Sequence, residues 1–485
     1  LLYGLVRLGA QAALALNYPY GLDYGEGVIW QQTLRIVAGT GYAPLGDLPA
    51  FVFQYPPLYH LTAAGTAALF GLDQLYAGRL VSLLSTLVSA VFVGLLTARA
   101  LDGEDRTTRG VAGMIAGAAF ASMPLLLTSA LLMQIDMLAL AFTLAGLLCV
   151  AGAVARPRLA IVAGMLFAAA LYTRQTSLPA PVAAFVILWL ARPRTAWTML
   201  AVAVATCCVA LAALWLAGSA DFLRQITAYN INRIAWDHAA RLGAVLLANI
   251  VPIALAGVGF GVAWQRVSPR NWRALRVRLT VEPGLAATAM LLAMVVIKTP
   301  MLAMIMKSGA NDNYLIDWFA GLAVMIGIAV VPVIRVALDN PATPGPVLLA
   351  LLGIGLPVHM MSPPLLPDFT AAAREQAAMD TLVARVRASS RPVISDDMVL
   401  LLRAAQPVIW EPAIIAELGS AGRYDDEALA TRVRRGEFGF FATHGTRRTL
   451  MYDQRFTPVV ADAIDAAYPR QEQVGDLTLH LPRGR

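Results

Sequence analysis

The chain predicts a polytopic α-helical membrane protein with a small soluble α/β domain at its C-terminal end. Three observations predict it. Of 485 residues 58% are hydrophobic and only 14% charged, with a mean hydropathy of +0.65, whereas soluble domains carry about 25% charged residues. Apolar runs near the ~20 residues that cross a ~30 Å hydrocarbon core recur along the first three quarters of the chain. From Ser362 the composition turns soluble, with charges in rough balance.

About eleven spans are expected, at roughly 1–17, 76–99, 110–130, 136–154, 159–173, 178–191, 196–218, 242–264, 284–306, 315–337 and 345–361. With no initiator Met, the opening LLYGLVRLGAQAALAL reads as the remainder of the first span. Arg-rich loops alternate with loops lacking that excess. The basic ones are Arg99 to Arg109, Ala155 to Arg158, Ala191 to Arg194, Gln265 to Leu279 and the turn after Arg335. The positive-inside rule makes these cytoplasmic. Tyr18 to Leu75, the turns at Asp136 and Arg174, Asp221 to Arg241 and Lys307 to Tyr314 then face outward, as does everything after the last span. The expected domains are thus 1–361 in the membrane, with an outer loop over 18–75, and 362–485 as an α/β domain on the outer face. In that domain, after a proline-rich linker PPLLPDF, PVISDD, PVIWEP, EFGFFATH and DLTLHL read as strands. The helices are AAREQAAMDTLVARVRA, AIIAELGSAG, EALATRVRRG and TPVVADAIDAAY.

Function is sought at the outer boundary, where isolated polar residues interrupt apolar runs. Asp23 and Glu26 lie three apart among Gly21, Gly25 and Gly27. They read either as solvated loop acids or as a general base or metal ligand at the bilayer edge. The following helix carries an apolar stripe, Ile29, Leu34, Ile36 and Val37, suited to lying on the membrane surface. Asp136 opens an otherwise uncharged run. It is a functional residue by the rarity of intramembrane acids, or a helix-start acid favoured by the dipole. Arg174, between two spans, suits a bidentate grip on phosphate or an interfacial snorkel. Lys307, Asn311, Asn313 and Tyr314 are candidates for a phosphate and sugar hydroxyls, against an ordinary polar turn with a belt tyrosine. Tyr55 and His60 complete the candidate binding set, His60 also reading as structural. Cys149, Cys207 and Cys208 lie in apolar runs, so neither a disulfide framework nor a zinc finger is expected. No Walker, dinucleotide, HExxH or GxSxG motif is present, and no basic cluster suggests nucleic acid.

Taken together, these motifs resemble the GT-C glycosyltransferases. The pattern is an acidic first outer loop, an interfacial helix ending in Gly39-x-x-x-x-Pro44, the entry Tyr55-Pro56-Pro57-Leu58, and a second acid, Asp136, at the outer start of a later span. The similar branch is the bacterial one with aminoarabinose transferases, protein mannosyltransferases and lipopolysaccharide galacturonosyl transferases. The resemblance covers roughly 18–330. It implies a polyprenyl-phosphate-linked sugar as donor, a lipid, glycan or protein as acceptor, and transfer on the outer leaflet of a bacterial inner membrane with the C-terminal domain periplasmic. It places Asp23 and Glu26 in the motif that holds the catalytic base, although an adjacent Asp-Glu pair is usual there, and Asp136 on the second acidic motif. The family's E-K-P-P-L variant reads Gln54-Tyr55-Pro56-Pro57-Leu58 here. The missing carboxylate weakens the expectation of a divalent metal ion, which stays an option, and Arg174 or Lys307 would stand in for the missing lysine. The expected mechanism is inverting displacement with Asp23 as base and Glu26 second. Arg174 and Lys307 would hold the phosphate, Asp136 orient the acceptor, and Asn311, Asn313 and Tyr314 hold the sugar. The alternative is a transporter or flippase, which favours internal repeats and midplane sites.

Overall fold

A computed structural model describes residues 2–46, 48–230, 234, 236, 239–268, 271–307, 310, 312–339, 344–361 and 368–483. Asn311 and most of the expected proline-rich linker lie outside the described residues. Local rules set most helix starts. After α1 (Leu2–Asn17), Asp23 caps α2 (Tyr24–Val37) by accepting the Gly25 N–H, and Pro57 leads into α3 (Leu58–Phe70). Gly71, at φ +62°, ends α3, and Asp73 caps α4 (Gln74–Ala100). Asp105 caps α5 (Arg106–Ser122), and Pro124 opens α6 (Pro124–Ala130) at a 68° bend. Then come α7 (Asp136–Ala153) and α8 (Leu159–Thr173), followed by α9 (Pro179–Ala191) and α10 (Pro193–Leu216), which both start on proline. The short α11 (Phe222–Thr227) and α12 (Ala239–Ala248) precede α13 (Ile250–Val267), α14 (Trp272–Val281) and α15 (Pro283–Lys298). A 3-10 turn continues α15 to Met306, and α16 (Ile316–Asp339), α17 (Gly345–Ala350) and α18 (Leu356–Met361) follow.

Among the described residues six helices are long and apolar enough to cross a membrane, or seven if the bent α5–α6 pair is one span. Eleven were expected from the apolar runs. Helices occupy the other expected positions, but α8, at 15 residues, reaches about 22 Å against the ~30 Å core. The run expected over 242–264 is divided between α12 and α13 at Asn249.

The bundle packs on small residues. A Cβ on Gly113 would meet the Gly94 carbonyl oxygen at 2.6 Å, so α4 and α5 cross backbone to backbone. The Arg-rich loops gather at one end: Arg335 pairs with Glu104, Arg266 donates to the Ala100 carbonyl, and Arg276 to that of Leu190. Along α4 that end lies about 30 Å from Arg79.

The C-terminal domain holds α19 (Phe369–Arg387), β1 (Ile394–Ser395), α20 (Met398–Arg403), α21 (Pro412–Ser420), α22 (Asp426–Arg434) and β2 (Phe441–His444). It finishes with α23 (Leu450–Arg455), α24 (Pro458–Ala467), β3 (Arg470–Val474) and β4 (Leu477–Leu481). The sheet order is β1-β2-β4-β3, with β1–β2 parallel and the other pairs antiparallel. PVIWEP, expected as a strand of this sheet, instead forms a parallel bridge between Trp410 and Ala50 of the first loop. The Ala50 N–H donates to the Ile409 carbonyl at 2.9 Å, and Glu411 N–H to the Ala50 carbonyl at 3.1 Å. β3, with the polar sequence RQEQV, shows no apolar alternation and was not expected.

The domain therefore sits on the first loop. Tyr18, Tyr20, Tyr42, Phe51 and Phe53 share one apolar core with Leu382, Leu400, Phe440 and Leu479. Helix α20 lies against α2, where a Cβ on Gly27 would come 2.9 Å from that of Met398. Arg403 donates to both Asp73 oxygens at 2.6 and 2.9 Å. This packing draws in part of the stripe expected on α2: Ile29 is buried and Ile36 packs against the core that the loop shares with the domain, leaving Leu34 and Val37 exposed.

Candidate functional site

The two acids of the first loop have opposite surroundings. Glu26 is fully buried and its lone pairs are occupied. Arg79 grips both oxygens, Nε at 2.8 Å and Nη2 at 2.6 Å, and the Leu22 and Met133 N–H groups each donate at 2.8 Å. Arg79 spends its remaining donors on the Ala15, Tyr18 and Tyr20 carbonyls. A fully ligated ion pair of this kind ties the end of α1, the loop and the approach to α7 together.

Asp23 is only partly enclosed. Its Oδ1 accepts from Gly25 N–H at 2.8 Å and Gln134 Nε2 at 3.0 Å, while Oδ2 accepts no bond from a described residue. Burial pushes its pKa above the ordinary carboxylate value, with the Glu26 charge in the same direction, against the Gly25 and Gln134 hydrogen bonds and Arg455. Gly25 is required by space: a Cβ there would stand 2.9 Å from Asp23 Oδ1 and 3.2 Å from Gln134 Nε2. None of Gly21, Gly25 and Gly27 has positive φ, so the glycines serve close approach and not a left-handed turn.

Asp136, Arg174, Asn313 and Tyr314 do come together. Asp136 Oδ1 lies 2.9 Å from Arg174 Nη1, and Asn313 Nδ2 donates to Asp136 at 3.2 Å. The Arg174 guanidinium stands 5.2 Å over the Tyr314 ring and 4.0 Å from Asp317, which pairs with Lys298 at 2.7 Å. This alters the expected role of Arg174. It is 4% exposed and already neutralised, not an open cation awaiting phosphate. Asn313 likewise spends its amide on Asp136, leaving its buried Oδ1 without a partner. Lys307 is placed by an antiparallel bridge to Ile234, and no carboxylate among the described residues lies within ion-pair distance of it.

Tyr55 lies between the two acidic motifs, within electrostatic reach of both Asp23 and Asp136. Burial raises its phenol pKa, and Tyr314 and the acids add to the effect. His60 is structural in its surroundings: it is fully buried, its Nε2 meets Gln32 Oε1 at 3.0 Å, and burial pushes its pKa down to about 4. Gln32 in turn donates to Val52 O and Gln54 Oε1, both at 2.8 Å, which holds the loop before Pro56.

Sequence reasoning passed over Arg79, Lys298, Asp317 and Gln134. The first three are ionisable residues inside apolar runs, the same signal that singled out Asp136. Gln134 carried no such signal. Among the described residues no three His, Cys, Asp or Glu side chains come together as a metal-holding group. Glu26 and Asp136, the acids beside Asp23 and Tyr55, are each taken by an arginine, so among the described residues the acids of this site do not fit a divalent ion.

Comparison with known proteins bears on this arrangement. Residues 54–217 match the family model of dolichyl-phosphate-mannose-protein mannosyltransferases. The crystal structure of ArnT from Cupriavidus metallidurans bound to undecaprenyl phosphate is similar at a TM-score of 0.60 and 15% identity, over 99% of this chain and 97% of that one. The Archaeoglobus fulgidus oligosaccharyltransferase in its apo form is similar at a TM-score of 0.54 and 12% identity, over 90% and 69%. Its complex with Zn and sulfate gives 0.54 at 10% identity, over 90% and 68%. No curated protein matches the chain in sequence. The chain thus has the GT-C fold that its motifs resemble, built on membrane helices.

Proposed function

We propose that the protein is an integral-membrane glycosyltransferase that moves a sugar from a polyprenyl-phosphate donor to a lipid, glycan or protein acceptor on the outer leaflet. The observation that carries the mechanism is the contrast between the two loop acids. Glu26 has no lone pair to offer, whereas Asp23 keeps Oδ2 open and has a raised pKa. Asp23 is therefore the base, and Glu26 the anchor that holds its loop.

In the proposed step Asp23 takes the proton from the acceptor hydroxyl or amine. The acceptor atom bonds to the anomeric carbon on the face opposite the phosphate. The carbon–oxygen bond to the polyprenyl phosphate breaks, its electron pair leaves with the phosphate, and configuration inverts. The transition state is oxocarbenium-like, so the nearby carboxylates favour it. Lys307 meets the growing phosphate charge, while Arg174 holds Asp136 ready for the acceptor. Tyr55, Asn313 and Tyr314 line the path of the sugar. The ArnT structure with undecaprenyl phosphate and the mannosyltransferase family match support this donor class. A transporter is less well supported, since Glu26, Asp136, Arg174, Asp317 and Lys298 gather at one end of the bundle and not at its middle.

The test is turnover of a panel of radiolabelled undecaprenyl-phosphate sugars by the purified protein in nanodiscs with membrane lipid extract as acceptor. Release of undecaprenyl phosphate that Asp23→Asn abolishes is expected. Donor movement across the bilayer without bond cleavage would make the protein a flippase.

A further inference from the structure

Tyr24, the residue after Asp23, is held by the C-terminal domain. Its hydroxyl donates to the Glu411 carboxylate and accepts from the Ala413 N–H at 3.2 Å. The Arg455 guanidinium lies over its ring at 4.3 Å. Both domain groups are themselves fixed. Glu411, 2% exposed, caps α21 by accepting from Ala413 and Ile414. Arg455 Nη1 donates to Asp396 at 2.6 Å, and Asp396, fully buried after β1, also accepts the His444 N–H and meets His444 Nδ1 at 3.0 Å. A continuous path of polar groups therefore runs from β1 through Asp396 and Arg455 to Tyr24. It ends one residue from the carboxylate that Gly25 and Gln134 hold from the other side. Arg455 Nε and Nη2 donate to no described residue, so the guanidinium is not saturated as Arg79 is.

We propose that Arg455 is a positioning residue for Asp23, which makes the soluble domain part of the catalytic apparatus. This rests on the reading of Asp23 as base. Stacked on Tyr24, Arg455 fixes the first turn of α2, and its charge favours the carboxylate form of Asp23 against burial. Asp23 is faced on its own helix by Glu26, which Arg79 neutralises, and from the following loop by Tyr55. From the domain Arg455 acts on it, and Arg455 itself is surrounded by the Asp396–His444 pair, with Glu411 on the hydroxyl of the same Tyr24. Asp396 lies at the centre of that group; burial opposes its charge, but His444 and Arg455 outweigh burial and hold its pKa below the usual range. Removing Arg455 would therefore withdraw the domain's one cation from Tyr24 and Asp23, while His444 still partners Asp396.

The experiment reads the Asp23 carboxyl directly and needs no substrate. Full-length protein in nanodiscs is treated with a water-soluble carbodiimide and an amine across a pH series, and labelling at Asp23 is followed by peptide mass spectrometry. Arg455→Gln is expected to move the half-labelling pH of Asp23 upward, with faster amide exchange over residues 22–30. Arg455→Lys should keep the titration near wild type but still speed exchange, because the planar fork over Tyr24 is lost. Wild-type titration and exchange in Arg455→Gln, with only a lower melting temperature, would make Arg455 a packing group and overturn the proposal. If Arg455→Gln does not fold, unchanged exchange in both Arg455→Lys and Tyr24→Phe overturns it. An active Asp23→Asn on the donor panel would instead sink the base assignment, a result independent of the labelling shift.

Discussion

The buried ion pairs of the membrane bundle lie at one end, beside exposed ones such as Arg403 with Asp73, whereas the pairs at the other end are exposed. At the arginine-rich end Arg335 meets Glu104 with side chains 61% and 25% exposed, and Arg278 meets Glu282 within one helical turn. At the other end Arg79 and Glu26 are 1% and 0% exposed, and Arg174 and Asp136 are 4% and 1%. Exposed pairs are screened by solvent and contribute little. Basic residues in such loops bias which side of a membrane a loop stays on. Burying a pair costs several kcal/mol per ion before its attraction is counted, so a buried pair is poor value as a stabiliser. Its presence at one end, beneath a docked domain, marks that end as the place where charge is needed and held in register.

The sharpest way to break this contrast is to remove one buried partner. Arg79→Met leaves Glu26 charged without a counter-ion and frees three carbonyls. The expected loss is about 3–5 kcal/mol, enough to abolish monodisperse protein. Size-exclusion profiles and thermal unfolding in detergent check it, and a well-folded Arg79→Met would mean the clamp is dispensable. Next in size is Asp23→Asn, expected to lower turnover about 10²–10⁴-fold while fold and donor binding persist. The same carboxylate sets the pH dependence. The base acts when deprotonated, and its pKa is raised, so activity should fall on acidification sooner than for an ordinary aspartate. A pH–rate profile flat down to pH 4 would contradict it.

A smaller effect separates the two cations offered for the donor phosphate. Lys307→Ala should weaken binding of undecaprenyl phosphate about tenfold, because it alone removes a charge not already neutralised. Arg174→Ala should instead destabilise Asp136 and reduce turnover. If Arg174→Ala loses lipid binding and Lys307→Ala does not, the phosphate belongs to Arg174. Gly25→Ala is expected to cost a few-fold in turnover, since the methyl would intrude on Asp23 Oδ1 at 2.9 Å. At the bottom of the scale, Arg335→Ala should leave both melting temperature and turnover at wild-type values. A measurable loss there would blur the distinction between the ends.

How much of this was legible beforehand varies with the range of the interaction. Span positions, the proline and aspartate helix starts and the soluble domain's principal helices follow from local periodicity and capping. The apolar runs suggest eleven spans where six or seven described helices have the length of a crossing, because several runs stop at 13 to 17 residues, and hydropathy does not resolve a short helix from a full crossing. β3 escaped because its residues alternate in neither polarity nor burial. PVIWEP reads as a strand of the domain's own sheet, and the structure pairs it instead at Trp410 through a single bridge to the first loop. Its partner, Ala50, lies 360 positions earlier, and no local pattern announces a partner.

The residues themselves determined that this is a protein built on apolar, membrane-type helices, and they singled out acids at Asp23, Glu26 and Asp136 and a lone arginine at Arg174. Those facts need only composition, hydropathy and spacing, which are properties of neighbouring residues. The tertiary structure decided what each charge does. Arg79, 53 residues along the chain, takes Glu26 out of play and leaves Asp23 open. Asp136 takes Arg174, and Glu411 and Arg455 of the last domain reach back to Tyr24. A carboxylate's role depends on which donors and cations satisfy it, and in a buried site those come from wherever the fold brings them.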